Sequence, residues 1–307
     1  MLIRIATRKS ALALWQAGHV AEQLRRLPAV SAVEMVPLTT QGDRILDRSL
    51  SKVGGKGLFI KELEIAMQQG DADIAVHSMK DVPATMPEGF CIPALLERAN
   101  PLDALVSTKA SAIAITGLPE GAVVGSSSLR RQAQLNALRP DLVVKALRGN
   151  VDTRLKRLDR GDFDAIVLAC AGLERLGLSD RIGERISPEH MLPASAQGVI
   201  GIECLAARDD LRGLLAHLDH AVARQTTLAE RAVARILEAS CHSPLASYAV
   251  VRGDRITLTA MVASVDGRKL LRRQASGPAD QAVQVGVGLA RELLALGAAE
   301  ILREAGQ

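Results

Sequence analysis

Aromatic residues are scarce in this 307-residue chain, with one Trp, one Tyr and three Phe making up 2% of it. Stacked recognition of single-stranded nucleic acid needs aromatic platforms, so that class is disfavoured. The cores must instead be filled by Leu, Val, Ile and Ala, which dominate a hydrophobic content of 48%. No stretch approaches the roughly 18 consecutive apolar residues of a membrane-spanning helix, and no membrane association is expected. Met1 runs straight into Leu2, Ile3, Arg4 and Ile5, without a basic n-region, an apolar h-region or a small-residue cleavage site, so no secretory leader is expected. Cys91, Cys170, Cys204 and Cys241 stand far apart, with neither a CxxC pair nor a dense disulfide framework; the expected compartment is the cytoplasm.

Several signatures are also missing. Val53-Gly54-Gly55-Lys56-Gly57 has no Ser or Thr after its lysine and lacks the GxxxxGK spacing, so it is not a phosphate loop. No GxGxxG follows a strand-like run, which removes the nicotinamide and flavin fingerprint. The histidines form no HExxH; His217 and His220 can share a helix face but have no further ligands nearby, and no metal site is expected.

What is present begins with length and charge. The chain is long enough for two or three domains, each with a sizeable core. Net charge is +4, yet the stretch 121–160 carries nine Lys or Arg against Asp141, Asp152 and Asp159. Such a local positive field suits a specific anionic ligand better than a diffuse polyanion. A solvated helix face is the plainer alternative.

Short apolar runs alternate with helix-period segments. Leu2 to Ala6 reads as a strand, Ser10 as the N-cap of a helix burying Ala13, Ala17, Val20, Leu24 and Leu27, and Val33 to Thr39 as the next strand. Thr40 to Gly57 lacks periodicity and reads as a loop. A helix over 58–69 and a strand over 73–76 continue a strand–helix grammar that predicts an α/β domain with much parallel pairing. After Pro101 the grammar recurs at 123–124, 143–147 and 165–169, each run followed by a helix. Beyond His220 a helix precedes strands at 247–251, 256–262 and 270–274, and a last helix buries Ala282, Val285, Leu289, Leu293 and Leu296. That part reads as a small α+β domain, with Cys241 in the loop that enters it.

Three motifs carry chemistry. His77-Ser78-Met79-Lys80-Asp81-Val82-Pro83 lies just past a strand, where open α/β sheets place their ligands; Asp81 there is either a reacting carboxylate or a turn former. Gly125-Ser126-Ser127-Ser128-Leu129-Arg130-Arg131 combines a glycine turn, hydroxyls and a helix start with planar guanidiniums, which suits carboxylates or phosphates. Leu147-Arg148-Gly149-Asn150-Val151-Asp152-Thr153-Arg154 repeats the design, with Asn150 or Asp152 as candidate cap. Ordinary capped helices are the plainer alternative for both. Cys241, followed by His242, Ser243 and Pro244, is either a buried structural cysteine or an exposed thiol.

Together these segments resemble the porphobilinogen deaminase (hydroxymethylbilane synthase) family over nearly the whole chain. The resemblance is carried, in order, by Arg4-Ile5-Ala6-Thr7-Arg8, Lys52-Val53-Gly54-Gly55-Lys56-Gly57, the HSMKDVP segment, Ser127-Ser128-Leu129-Arg130-Arg131, and Leu147-Arg148-Gly149-Asn150 followed by Thr153-Arg154. It implies two α/β domains like those of periplasmic binding proteins, enclosing a cleft, and a small C-terminal α+β domain. The implied bounds are 1–98 with 197–217, then 101–193, then 220–307. It implies a transferase that condenses porphobilinogen units on a dipyrromethane cofactor held by a thioether to Cys241, with Asp81 as the catalytic group. Cofactor and substrate carboxylates would be bound by Arg8, Arg130, Arg131, Arg148, Arg154 and Arg175, with contacts from Ser10, Lys52, Lys56, Ser78, Lys80, Ser126, Ser127, Ser128, Gly149 and Gln197. A monomer without nucleic-acid partners is expected.

Two places depart from the family pattern. Ala239-Ser240 stand where two glycines usually precede the anchor cysteine, and Ala196-Gln197-Gly198 replaces a Gly-Gln-Gly run. Both touch backbone freedom and neither removes a charged group. The competing readings are a non-catalytic two-lobed anion-binding protein and a nucleic-acid protein using 121–160, whose binding would be strongly salt-sensitive.

Overall fold

Alternating apolar residues open the chain as a strand, β1 (Leu2–Arg8), with Ile3 and Ile5 buried towards one face and Ala6 towards the other. The computed structural model describes residues 1–40, 60–108, 114–240 and 243–306. Contacts divide them into two units, 1–98 with 199–224, and 99–198 with 225 to the C-terminus.

In the first unit β1 is followed by α1 (Ala11–Leu24), whose N-cap Ser10 accepts from the Ala13 N–H at 3.4 Å. Then come β2 (Ala32–Leu38), α2 (Lys61–Gln68), β3 (Ile74–Ser78) and β4 (Phe90–Leu95). β10 (Ile200–Leu205) and α6 (Asp209–Leu215) return to this unit late in the sequence. The sheet order is β2-β1-β3-β10-β4, parallel across β2, β1 and β3 and antiparallel where β10 sits between β3 and β4. Ala17, Val20 and Leu24 of α1 and Leu211 and Leu215 of α6 cover one face with Ile74, Val76 and Ile202. Leu63, Ala66 and Met67 of α2 cover the other, over Ala6 and Ala75.

The second unit repeats the plan. Its elements are β5 (Asp103–Ser107), β6 (Val123–Gly125), α3 (Leu129–Leu138), β7 (Val143–Lys145), α4 (Val151–Asp159), β8 (Ala165–Ala169), α5 (Cys170–Arg175) and β9 (Glu184–Ile186). The order β7-β6-β8-β5-β9 matches the first sheet position for position, with β5 as the antiparallel strand beside β8. β4, β5, β9 and β10 are strands that the periodicity did not single out, so the expected parallel pairing covers only part of each sheet.

The rest of this unit is α7 (Ala221–Ile236) from Gln225 on, an antiparallel sheet β11 (Leu245–Arg252), β12 (Arg255–Ala263) and β13 (Leu270–Pro278), and helices α8 (Ala282–Ala295) and α9 (Ala298–Ala305). Leu296, expected in the core, is exposed, because Gly297 takes a left-handed φ of 95° and ends α8 just there. Met261 and Ala263 pack on Ala133 of α3. The turn after β12 touches the same helix so closely that a Cβ on Gly267 would lie 2.4 Å from the Ala137 nitrogen. No described helix is long and apolar enough to cross a membrane.

Candidate active site

Asp81 is exposed at the end of a 3-10 turn, Met79–Asp81, that follows β3 directly. The turn stops at Val82, which is extended at ψ 128°, the conformation Pro83 imposes on the residue before it. β10 forms the floor. Met79 N–H donates to the Val199 carbonyl at 3.0 Å, and Met79 lies over Gly201 so tightly that a Cβ there would meet its sulfur at 2.1 Å. One residue back, Ser78 Oγ exchanges hydrogen bonds with the buried Gln16 amide at 2.8 and 3.2 Å. His77 Nε2 lies 2.7 Å from Glu203 Oε2. The other candidates of this unit are Arg8, half-buried at the end of β1, Ser10, committed to the α1 cap, and Lys80, half-buried on the turn. Lys52 and Lys56 lie outside the described residues.

The arginine motif is built differently from its expectation. Gly125 makes no turn: it is a buried strand end where a Cβ would come within 2.9 Å of Leu147 and 3.0 Å of Ile166 and Phe163. Ser126 is buried and its Oγ accepts from Ser128 N–H at 3.3 Å, Ser127 Oγ donates to the Leu147 carbonyl at 2.9 Å, and Ser128 is the N-cap of α3 without a side-chain capping bond. Arg130 and Arg131 are buried and converge on Asp103, itself fully buried at the start of β5. Arg130 Nη1 donates to Oδ2 at 2.7 Å, and Arg131 Nη2 and Nε donate to Oδ1 at 2.7 and 3.0 Å. The Leu192 and Val167 carbonyls accept one further bond from each arginine, and Gln197 Nε2 donates to Asp103 and to the Pro101 carbonyl. Burial works to raise the Asp103 carboxyl, but the two guanidiniums override it and hold it well below the usual carboxylate range. Two cations on one anion leave an excess of one positive charge.

The local field of 121–160 is therefore smaller than its composition. Besides Arg130 and Arg131, Arg139 is paired with Asp141, Lys156 with Asp152 and Arg157 with Asp162.

At the second motif Asn150 is the N-cap of α4, accepting from Thr153 N–H and Oγ1, both at 2.9 Å. Gly149 before it has φ 106°, and a Cβ would stand 2.8 Å from Thr153 Cβ, so only glycine fits. Its carbonyl accepts from Arg154 Nε at 2.7 Å, and Arg148 and Arg154 are both half-buried. Arg175 donates to the Gly198 carbonyl at 2.7 Å, and burial pushes its guanidinium down to about 10 against the opposing pull of Glu174.

The departures from the family pattern now separate. Ala196 has φ 58°, a region that suits glycine, and is held by its N–H on the buried Glu230 carboxylate at 2.5 Å. Ala239 and Ser240 have no such φ, so losing glycine there brings no left-handed strain. Ser240 N–H donates to Ser243 Oγ, and Ser243 N–H to the Ser240 carbonyl, both at 3.0 Å. Cys241 itself lies outside the described residues. Of the other cysteines, Cys170 and Cys204 are buried and burial pushes each thiol up to about 12, too high for a nucleophile at neutral pH.

Sequence reasoning missed Asp103, Glu203 and Gln16. The available signal was an acid inside an apolar strand, in Asp103–Ser107 and Ile200–Leu205, since such an acid is buried only with a partner. Gln16 had no comparable mark.

Comparison with known proteins agrees with this arrangement of motifs. A family profile described as "Porphobilinogen deaminase, dipyromethane cofactor binding domain" matches residues 3–213, and one described as "Porphobilinogen deaminase, C-terminal domain" matches 224–295. Proteins named porphobilinogen deaminase from Bordetella parapertussis and Bordetella bronchiseptica are each 56% identical over 303 residues, covering 98% of this chain and 96% of theirs. Among solved structures, the VFT2 domain of Bordetella pertussis BvgS aligns over 70% of this chain and 85% of its own, with TM-score 0.44 and 15% identity. The probable amino-acid transporter binding protein ytmK of Bacillus subtilis aligns over 71% and 90%, with TM-score 0.42 and 12% identity. By its two profile matches and its identity to these relatives over nearly its whole length, the chain belongs to the porphobilinogen deaminase family.

Proposed function

We propose that Asp81 is the acid/base carboxylate of this enzyme and that Cys241 anchors its dipyrromethane cofactor. As a member of its family the chain is a transferase that condenses four porphobilinogen molecules head to tail with release of ammonia, giving the linear tetrapyrrole hydroxymethylbilane of heme biosynthesis. The observation that carries the Asp81 assignment is an exposed carboxylate at the end of a central strand, on a turn held from below by β10.

Loss of ammonia from the aminomethyl group of porphobilinogen leaves a cationic azafulvene. A carboxylate beside it assists departure of the amine, accepts pyrrole N–H hydrogens, stabilises the cation and takes up the proton released on coupling. The dipyrromethane, when bound, supplies the free pyrrole α-carbon from which the product grows. Its acetate and propionate groups fit this donor set, which has an arginine cluster with surplus positive charge and a backbone cradle at Gly149 that a Cβ would fill. Arg8, Arg130, Arg131, Arg148, Arg154 and Arg175, with Ser127, Ser128 and Gly149, are the residues proposed to hold cofactor and substrate carboxylates; Ser10, Ser78, Lys80, Ser126 and Gln197 support them. Charge-assisted bonds of about 1.5–3 kcal/mol each are partly offset by desolvation, which lets product leave.

For the anchor, Cys170 and Cys204 are buried with raised thiols and Cys91 has its Sγ 3.8 Å from that of Cys204, while Cys241, which follows α7 in the sequence, is the cysteine that the family resemblance makes the anchor. The same reading has the chain working in the cytoplasm as a monomer, with residues 1–98 and 197–217, 101–193 and 220–307 as its three functional domains. Asp81→Asn tests the acid/base role. The variant should fold and lose about 10²-fold or more of kcat, measured as porphobilinogen consumption; wild-type turnover would remove Asp81 from the mechanism.

A further inference from the structure

Glu203 is a fully buried acid in the core of the first unit. It sits in the middle of β10, 0% exposed, between the apolar residues Ile202 and Cys204. Among the described residues its carboxylate is bonded by His77 alone, at 2.7 Å, and its second oxygen, Oε1, is buried without a hydrogen bond. A buried carboxylate is expensive in a place where an apolar side chain of similar volume would serve the packing at least as well. Its position gives it another use.

His77 and Gly201 are opposite residues in the β3–β10 ladder, and Glu203 lies opposite Ala75. Both side chains therefore point to the face covered by α2, and they tie the two strands together immediately before β3 leaves the sheet. Glu64 of α2 is in the same neighbourhood, since burial raises its carboxyl, Glu203 adds to the rise and His77 opposes it. Ser78, Met79, Lys80 and Asp81 follow His77 without a break.

We propose that Glu203 is a positioning residue for the reaction: through its hydrogen bond to His77 it fixes the end of β3, and so the turn on which Asp81 stands. The proposal rests on Asp81 being the acid/base group. Glu203 touches neither substrate nor cofactor in this scheme, so its loss should misplace Asp81 and slow the chemical step without weakening binding.

The test uses the full, cofactor-loaded chain with porphobilinogen. Glu203→Leu removes the tie, and Glu203→Gln keeps an oxygen that can accept from His77. The expected result is a kcat at least about 10-fold lower for Glu203→Leu, with KM within about 3-fold of wild type, and recovery of most of kcat in Glu203→Gln. An unchanged kcat in Glu203→Leu, a KM that rises in step with the loss, or no recovery in Glu203→Gln would overturn the proposal. If Glu203→Leu does not fold, His77→Leu, which also removes the tie, is judged by the same rule: lower kcat at constant KM supports the tie, and any other result contradicts it. Asp81→Asn is measured alongside. Full turnover in that variant defeats the Asp81 reading itself, whereas a dead Asp81→Asn beside a wild-type Glu203→Leu defeats the positioning role alone.

Discussion

Asp103, itself fully buried, collects two guanidiniums and one amide, and its carboxyl is held below its ordinary range by Arg130 and Arg131 although burial pulls the other way. Removing the charge from one side strands two buried cations. Asp103→Asn should cost about 3–5 kcal/mol in denaturant unfolding at neutral pH. The sign with pH follows from the depressed value: the stability Asp103 contributes is fully present above its unfolded value of about 4 and is lost as pH falls through the lower folded value. The gap between wild type and Asp103→Asn should therefore shrink only in strong acid; a gap that closes already between pH 5 and 7 would show that Asp103 is not held by these arginines. Ala196 is the opposite kind of residue, a side chain in a backbone region made for glycine. Ala196→Gly should stabilise the chain by about 1 kcal/mol, read from the midpoint of urea unfolding, and a loss of stability would mean that the left-handed φ is not the governing cost.

Among elements, α4 joins a helix cap at Asn150 to the backbone at Gly149 that is proposed as a binding cradle. Asn150 satisfies the first turn, and Gly149 brings its backbone against Thr153 where no Cβ fits. Asn150→Ala should cost about 1 kcal/mol as a lost cap. Gly149→Ala should cost about 1–3 kcal/mol and also raise KM for porphobilinogen, whereas Asn150→Ala should leave KM near wild type; equal KM in both would take Gly149 out of the cradle. This element was legible in the sequence, as were α1 with its Ser10 cap and the turn after β3, because caps, glycines and prolines act within a few residues. β4, β5, β9 and β10 were not legible, since they are short runs whose pairing is decided by distant strands. The same holds for the side chains that orient the site: Asp103 meets its arginines 27 and 28 residues later, and His77 meets Glu203 126 residues later. The composition of 121–160 overstated the charge on offer because much of it is spent in pairs that spacing does not reveal.

At the scale of the whole molecule, two sheets share one strand order, each with an antiparallel strand inserted beside its third parallel one. In both, the residues assigned to chemistry or binding follow strand ends: Asp81 after β3 and the Ser126 to Arg131 run after β6. The third sheet packs on α3 and so stands next to the helix that carries the arginine pair. The proposed reaction grows a long anionic product from a fixed anchor. It makes the anchor the central claim, and Cys241 the residue on which it is most directly tested. Intact-mass measurement of the purified chain and of Cys241→Ser should give a wild-type mass above that of the polypeptide by one dipyrromethane, and an unmodified, inactive Cys241→Ser. A wild-type chain that stays unmodified after exposure to porphobilinogen, or an adduct that persists in Cys241→Ser, would contradict the account.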